Sequence, residues 1–267
     1  MPQIDRREGR RLFGADPAAY DRARPGHAER VYELLVARCG LRTGTHALEI
    51  GPGTGQATRR LLDLGASPLI ALEPDPALAA YLRRSHGELI DVRETALEDA
   101  ELTVDAFDLA VAASSFHWVE EARGLQKLQS ALRPGGWWAM WWTLFGVPGE
   151  PDAFIAATTP LLEGLDASPS SGAEGRPARH PLDTEARFAA LEVAGLRDVE
   201  HEVVTWGASW DTGGIRALYG TFSPIARLEE DRRDEILDGV ASIAEHEFGG
   251  HVERTLLTSI YTSRKPV

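Results

Sequence analysis

The run Ala47-Leu48-Glu49-Ile50-Gly51-Pro52-Gly53-Thr54-Gly55-Gln56 constrains this chain more than any other stretch, because an apolar strand empties into a triple-glycine turn that opens straight into a helix. Alternating glycines remove Cβ at every second position, so the main chain can take unusual dihedrals and a ligand can approach it closely. The helix expected over Gln56 to Leu64 points its N-terminal amides and positive dipole end at whatever fills the loop. The turn reads as a nucleotide-type cofactor loop. A dinucleotide fingerprint wants glycine at its first, third and sixth positions, and the sixth position counted from Gly51 is Gln56. That mismatch counts against NAD.

The bulk composition narrows the partners. With 267 residues the chain has length for one large domain and a full core. A formal net charge of −13 argues against a nucleic-acid or anionic-membrane surface, since no broad face would neutralise phosphates. Small-molecule partners, neutral or cationic, are expected, and nothing in the sequence sets an oligomeric state. Cys39 is the single cysteine, which excludes an intrachain disulfide and a Cys-rich zinc site and points to a reducing compartment. Met1 to Arg11 is charged, and no apolar run approaches the roughly 20 residues that span a bilayer, so a cytoplasmic location is expected. The eight histidines are scattered, and Gly249-Gly250 interrupts the face that His246, Glu247 and His251 would share. No metal is expected.

From about residue 45 to 145, apolar runs of strand length alternate with helical periodicity, the pattern of stacked βαβ units on a parallel sheet. Strands are expected at His46 to Ile50, Leu69 to Glu73, Ile90 to Thr95, Phe107 to Ser114 and Trp137 to Thr143. Helices are expected at Gln56 to Leu64, Pro76 to Ser85 and Glu120 to Leu132, the last stopped by Arg133-Pro134-Gly135-Gly136. Gly164 to Pro181 is rich in Ser, Gly, Pro, Ala and Arg without periodicity and reads as a mobile loop. Beyond it, a helix over Thr184 to Ala194, strands over Val199 to Trp206 and Arg254 to Thr262, and helices near Ile215 to Leu228 and Asp231 to Phe248 complete the pattern.

Parallel sheets bind ligands beyond the carboxyl ends of their strands. The second strand ends in Glu73-Pro74, with Glu73 18 residues after Gly55, the spacing at which a carboxylate reaches a ribose diol. Glu49-x-Gly51-x-Gly53-x-Gly55 resembles the first motif of class I S-adenosylmethionine (SAM) dependent methyltransferases. The fourth strand leads into Ser114-Ser115-Phe116-His117-Trp118-Val119, which resembles the Phe-His-Trp-Val segment of a small-molecule branch of that family. Phe13-Gly14, Tyr20-Asp21-Arg22-Ala23-Arg24-Pro25-Gly26-His27, Leu132-Arg133-Pro134-Gly135-Gly136 and Glu247-Phe248-Gly249-Gly250 extend the resemblance over nearly the whole chain.

What the resemblance implies is an α/β, Rossmann-like, seven-stranded sheet, mostly parallel with an antiparallel last strand, helices on both faces and a helical cap. The chain would be one domain over 1–267, with N-terminal helices in 1–44, the cofactor-binding core in 45–150 and a cap insertion in 210–250. SAM, leaving as S-adenosylhomocysteine, would touch Glu49, Gly51, Gly53, Gly55, Gln56, Glu73, Pro74 and Ser114. Its adenine would lie against Ala96 and Leu97 with Glu98 accepting from the exocyclic amine, while Tyr20 and Arg24 would close over the methionine carboxylate. Trp118, Trp142, Tyr219 and Phe222 are the candidates for the acceptor wall. Strand alternation puts Trp138, Met140 and Trp142 on one face and Trp137, Ala139 and Trp141 on the other.

Methyl transfer is an in-line displacement in which the protein supplies alignment and desolvation, so a catalytic base is optional. His117 is the candidate catalytic residue, either as general base for an O–H acceptor or as a hydrogen-bonding spacer beneath the cofactor. Two departures from the branch fall on the acceptor side: Thr143 follows Trp142 where asparagine is more usual, and Trp137 to Trp142 is unusually aromatic. A SAM-binding protein with a non-methylating or regulatory role, and an NAD-linked oxidoreductase on the same topology, are the alternatives.

Overall fold

The computed structural model describes residues 4–10, 12–168, 170 and 180–267. The chain opens with three short helices, α1 (Arg6–Gly9), α2 (Pro17–Ala23) and α3 (Glu29–Ala37). Alternation then begins: β1 (Thr45–Ile50), α4 (Gln56–Asp63), β2 (Ala66–Leu72), α5 (Pro76–His86), β3 (Asp91–Arg93), β4 (Phe107–Ala113), α6 (Glu121–Ala131) and β5 (Leu132–Phe145). The remainder is α7 (Ala153–Thr158), α8 (Thr184–Val193), β6 (Arg197–Asp211), α9 (Thr212–Gly220), α10 (Ser223–Ala226), α11 (Glu230–Phe248) and β7 (His251–Arg264).

The seven strands form one sheet in the order β3-β2-β1-β4-β5-β7-β6, in which β7 runs antiparallel to both neighbours and the other pairings are parallel. The expected seven-stranded, Rossmann-like arrangement with its antiparallel last strand is what the structure has. The order reverses between β1 and β4, so the carboxyl ends of these strands open a crevice there. Alternation divides the tryptophan tract of β5 as expected. Trp138, Met140 and Trp142 join the cluster under α6 and α8, whereas Ala139 and Trp141 join the one packed on α3 and α4.

Several boundaries differ from the sequence expectation. The tract Arg133-Pro134-Gly135-Gly136 ends α6 but lies inside β5: Phe107 pairs with Leu132, the register then shifts, and pairing resumes at Leu109 with Trp137. A bulge absorbs the extra residues, so Pro134 owes no ladder bond, and a Cβ on Gly136 would come within 2.8 Å of the Phe107 carbonyl oxygen. Strands β6 and β7 are longer than expected, pairing from Arg197 with Arg264 to Asp211 with His251. Polar residues alternate along the edge strand β6, which hides its length from a search for apolar runs. The helix expected over Ile215 to Leu228 is two helices, α9 and α10, parted where Thr221 ends the first and Pro224 starts the second. Helix α7 was not foreseen. It packs with α9, α10 and α11 around Phe154, Leu218, Tyr219, Ile236 and Val240, a core separate from the two that line the sheet.

Positions 169 and 171–179 of the aperiodic stretch from Gly164 to Pro181 lie outside the described residues. Among the described residues no helix is long and apolar enough to cross a membrane, and no group of three or more His, Cys, Asp or Glu side chains could hold a metal ion.

Candidate functional site

A cavity of about 510 Å³ opens at the carboxyl ends of β1, β2, β4 and β5, beneath the helices that follow β6. Its volume falls within the roughly 300–1,000 Å³ usual for a small-molecule pocket. Its floor is the glycine turn. Gly51 and Gly53 hold φ of +61° and both line the cavity, and a Cβ built on Gly53 would meet no protein atom within 4 Å. The main chain is therefore bare toward the cavity where a ligand would press on it.

Glu73 stands one residue past β2, 3% exposed, on the same wall. Its Oε2 accepts the Gly53 N–H at 3.0 Å and its Oε1 accepts the Asp75 N–H at 2.9 Å. Each oxygen keeps lone pairs for further donors. Burial pushes this carboxyl up to about 8 against the two backbone bonds, which favour the ionised form. Asp75 caps α5 through the Ala77 and Leu78 amides, and Pro76 at the first helical position fixes the chain's exit from Glu73.

The N-terminal segment is laid over this floor. Thr54 Oγ1 donates to Asp21 at 2.9 Å, and Gln56 Nε2 donates to the carbonyls of Asp21 and Arg24 at 3.2 and 2.9 Å. Tyr20 and Arg24 consequently reach the cavity wall. The Arg24 guanidinium lies 5.1–5.4 Å from the rings of Tyr20, Phe145 and Phe222, and donates through Nε and Nη2 to Oγ1 and the carbonyl of Thr221 at 2.7 and 3.0 Å. The edge best shaped to grip a carboxylate side-on is thus engaged by Thr221, which leaves the Nη1 end for a ligand.

Three residues expected at the cofactor do not line the cavity. Glu49 turns under the loop, fully buried, and accepts from Thr58 Oγ1 on α4 at 2.7 Å; burial raises it to about 7. Gly55, with φ of +90°, faces α5, where an added Cβ would sit 2.5 Å from His86 Nε2, so its bareness serves packing. Glu98 is tied to Arg10 by an ion pair and to the Glu120 N–H at 2.9 Å, and these bonds turn its carboxyl away from the cavity and hold it below its ordinary value against the opposing effect of burial. The neighbouring Ala96 and Leu97 do line the wall, as do Pro74 and Ser114.

The acceptor-side candidates converge from distant segments. His117 and Trp118 come from the turn after β4, Trp142 from the end of β5, and Tyr219 and Phe222 from α9 and the residue beyond Thr221. Trp142 Nε1 donates to His117 Nδ1 at 3.0 Å. An indole N–H can only donate, so Nδ1 must be the unprotonated nitrogen and the ring proton sits on Nε2. Burial, reinforced by the charges of Arg6 and Arg24, lowers His117 to about 3. Tyr219 is tied through its hydroxyl to Thr158 Oγ1 at 3.0 Å and packs on Phe222.

Several lining residues were not foreseen. Phe145 extends the aromatic wall past Trp142. Arg254 is buried on β7, donating through Nε to Asp152 at 3.1 Å and through Nη2 to the Phe145 carbonyl at 2.8 Å. The sequence carries a signal for it: in the alternation of β7, Arg254 falls in phase with Val252 and Leu256 on the buried face. Thr158, which lines the wall, and Asp152, which does not line it but holds Arg254, belong to the unforeseen α7 region and left no such trace.

Comparison with known proteins agrees with this geometry. A family described as a methyltransferase domain matches residues 48–140, which run from β1 into β5. An uncharacterised methyltransferase of Mycobacterium tuberculosis is 31% identical over 137 residues, 51% of this chain and 54% of that protein, so the match spans about half of that relative's length. A trans-aconitate 2-methyltransferase of the same species is 32% identical over 212 residues, covering 72% of this chain and 76% of the relative. Among solved structures, a Haemonchus contortus phosphoethanolamine N-methyltransferase bound to phosphomonomethylethanolamine and S-adenosylhomocysteine superposes with a TM-score of 0.59 at 15% identity, covering 99% of this chain and 61% of that one. A strand order of 3-2-1-4-5-7-6, a bare glycine floor beside a buried strand-end glutamate, and kinship over most of a chain at this identity lead to one assignment: the chain belongs to the class I SAM-dependent methyltransferases.

Proposed function

We propose that the chain binds SAM in this cavity and transfers its methyl group to a small-molecule acceptor lodged between the end of β5 and the helices after β6. The observation that carries the reading is Glu73, whose two oxygens, each steadied by one backbone N–H, share a wall with the open face of Gly53. In this reading Glu73 accepts the ribose hydroxyls, and Gly51 and Gly53 let the ligand reach the main chain. Ala96 and Leu97 flank the adenine, and Tyr20 and the Nη1 end of Arg24 lie toward the methionine end.

When bound, SAM supplies a methyl carbon activated by its sulfonium, so the reaction is an in-line displacement and the protein's part is alignment and exclusion of water. Trp118, Trp142, Tyr219 and Phe222 build a largely apolar acceptor wall, which suits an organic metabolite better than a polymer. A net charge of −13 and the relative that acts on trans-aconitate support the same class of acceptor. His117 holds Nε2–H toward the cavity in place of a lone pair, which favours its role as a hydrogen-bonding spacer over that of general base.

Calorimetric titration with S-adenosylhomocysteine, with NADH run in parallel, tests the reading. Tight one-to-one binding of the first alone is expected. Binding of NADH, or of neither ligand, would overturn it.

A further inference from the structure

A hydroxyl or ammonium acceptor needs a proton acceptor beside the nucleophile, and the candidates on the acceptor side of this wall are engaged elsewhere. The lone pair on His117 Nδ1 is taken by the Trp142 indole, leaving Nε2–H without a partner among the described residues. His27, the other imidazole on the wall, has its Nδ1 buried without a described partner; it stands edge-on to Trp141, on the opposite face of β5 from Trp142, and burial beside Arg24 opposes its protonation. Among the described residues Glu73 is the one carboxyl side chain lining the cavity, and it is committed to the glycine loop. His180, edge-on to Trp142, has both ring nitrogens against Arg187 Nη1 and does not line the cavity.

The acceptor side offers donors instead. His117 presents Nε2–H. Arg254, paired with Asp152 and aimed by the Phe145 carbonyl, keeps Nη1 free of any described partner. No described carboxylate on that side could hold a cationic amine. Donors without a base suit a nucleophile that arrives as an anion, and flat aromatic walls at Trp142, Phe145 and Phe222 suit an unsaturated body.

Resting on the methyl-transfer reading above, we propose that the acceptor is a carboxylate, converted to its methyl ester, with His117 Nε2–H and the Arg254 guanidinium orienting its oxygens. The balance closes without a base. A carboxylate is ionised at neutral pH. A lone pair on its oxygen forms the O–C bond while the C–S bond breaks, the bonding pair stays on sulfur, and no proton is released.

The test uses three probes on one carbon skeleton: cinnamate, cinnamyl alcohol and cinnamylamine. Each is titrated into the full-length protein saturated with S-adenosylhomocysteine, and each is incubated with SAM and the products read by mass spectrometry. Cinnamate is expected to bind at least about tenfold more tightly than the other two, the worth of one charge-assisted hydrogen bond, and to yield its methyl ester. In His117→Phe the preference is expected to fall, read in protein saturated with S-adenosylhomocysteine so that a change in cofactor affinity does not enter. Because Arg254 and Asp152 are a buried pair, they are removed together as Asp152→Leu/Arg254→Met, which is expected to abolish the preference in a protein that still binds S-adenosylhomocysteine. Failure of the unaltered protein to bind S-adenosylhomocysteine overturns the methyltransferase reading itself. If it binds but cinnamate does not, or the three probes bind alike, or the alcohol or amine is preferred, the carboxylate assignment alone is overturned.

Discussion

At the glycine-loop end of the cavity, the floor and the strand-end carboxylate, Gly51, Gly53 and Glu73, come from two short segments, and much of what they present is backbone. At the other end the wall is made of side chains from residues as far apart as His117, Trp142, Tyr219 and Arg254. The first end is joined by main-chain amides, as in Gly53 N–H to Glu73, and the second by side-chain pairs, as in Trp142 to His117 and Arg254 to Asp152. A backbone-built end recognises a constant part of a ligand and tolerates little change. An end built from side chains can be altered residue by residue, which is where relatives with one cofactor would come to differ in acceptor.

The largest effect that sharpens this contrast is expected from Glu73→Ala, which removes two charge-assisted acceptors and lowers S-adenosylhomocysteine affinity on the order of 100-fold by calorimetry. Tyr219→Phe should leave that affinity unchanged, and an equal loss in both variants would erase the distinction between the ends.

Gly53→Ala and Gly55→Ala separate ligand approach from packing within one turn. Both positions have positive φ, but only the Gly55 Cβ would collide with His86 and Leu82. Gly55→Ala is therefore expected to lower stability by about 1–3 kcal/mol more than Gly53→Ala in urea unfolding. Gly53→Ala should lose cofactor affinity while costing only the roughly 1 kcal/mol strain of a side chain at positive φ; the opposite pairing of effects would show the floor misassigned.

Trp142→Phe keeps an aromatic ring, smaller than the indole, and removes the donor, and a cost of at least about 1 kcal/mol is expected from the lost hydrogen bond and the volume left behind. His117 should then titrate higher, because its neutral form loses the hydrogen bond that favours it, a shift readable by NMR. An unmoved His117 signal would mean that the indole does not set its tautomer.

The smallest effect is a fraction of a proton. Glu73 sits near 8 in the free protein and so carries a proton at pH 7, while ribose hydroxyls donating to it favour the ionised form. Binding of S-adenosylhomocysteine at pH 7 should release protons, seen as a binding enthalpy that changes with buffer, and the release should vanish above pH 8 and in Glu73→Gln. For the free protein the sign is fixed by the same shift: the folded state holds a proton that the unfolded chain gives up above 4.5. The contribution of Glu73 to stability is therefore present below about 4.5 and lost as pH rises through about 8.

What the sequence determined by itself was whatever depends on near neighbours. Period-two and helical patterns located the βαβ core, the glycine turn and the carboxylate that follows β2, because each rests on residues a few positions apart and on backbone geometry. It also divided the tryptophans of β5 between two faces, since alternation along a strand is local. Three residues expected at the cofactor do not line the cavity, because neighbours in sequence point different ways in space: Glu49 toward Thr58, Gly55 toward His86, and Glu98 toward Arg10. Tertiary structure alone decided that β5 would run through Pro134, since the register shift against β4 absorbs the misfit. It alone joined Asp152 to Arg254 across 102 positions, and it chose the nitrogen of His117 that keeps the proton, because that proton is assigned by an indole 25 residues away.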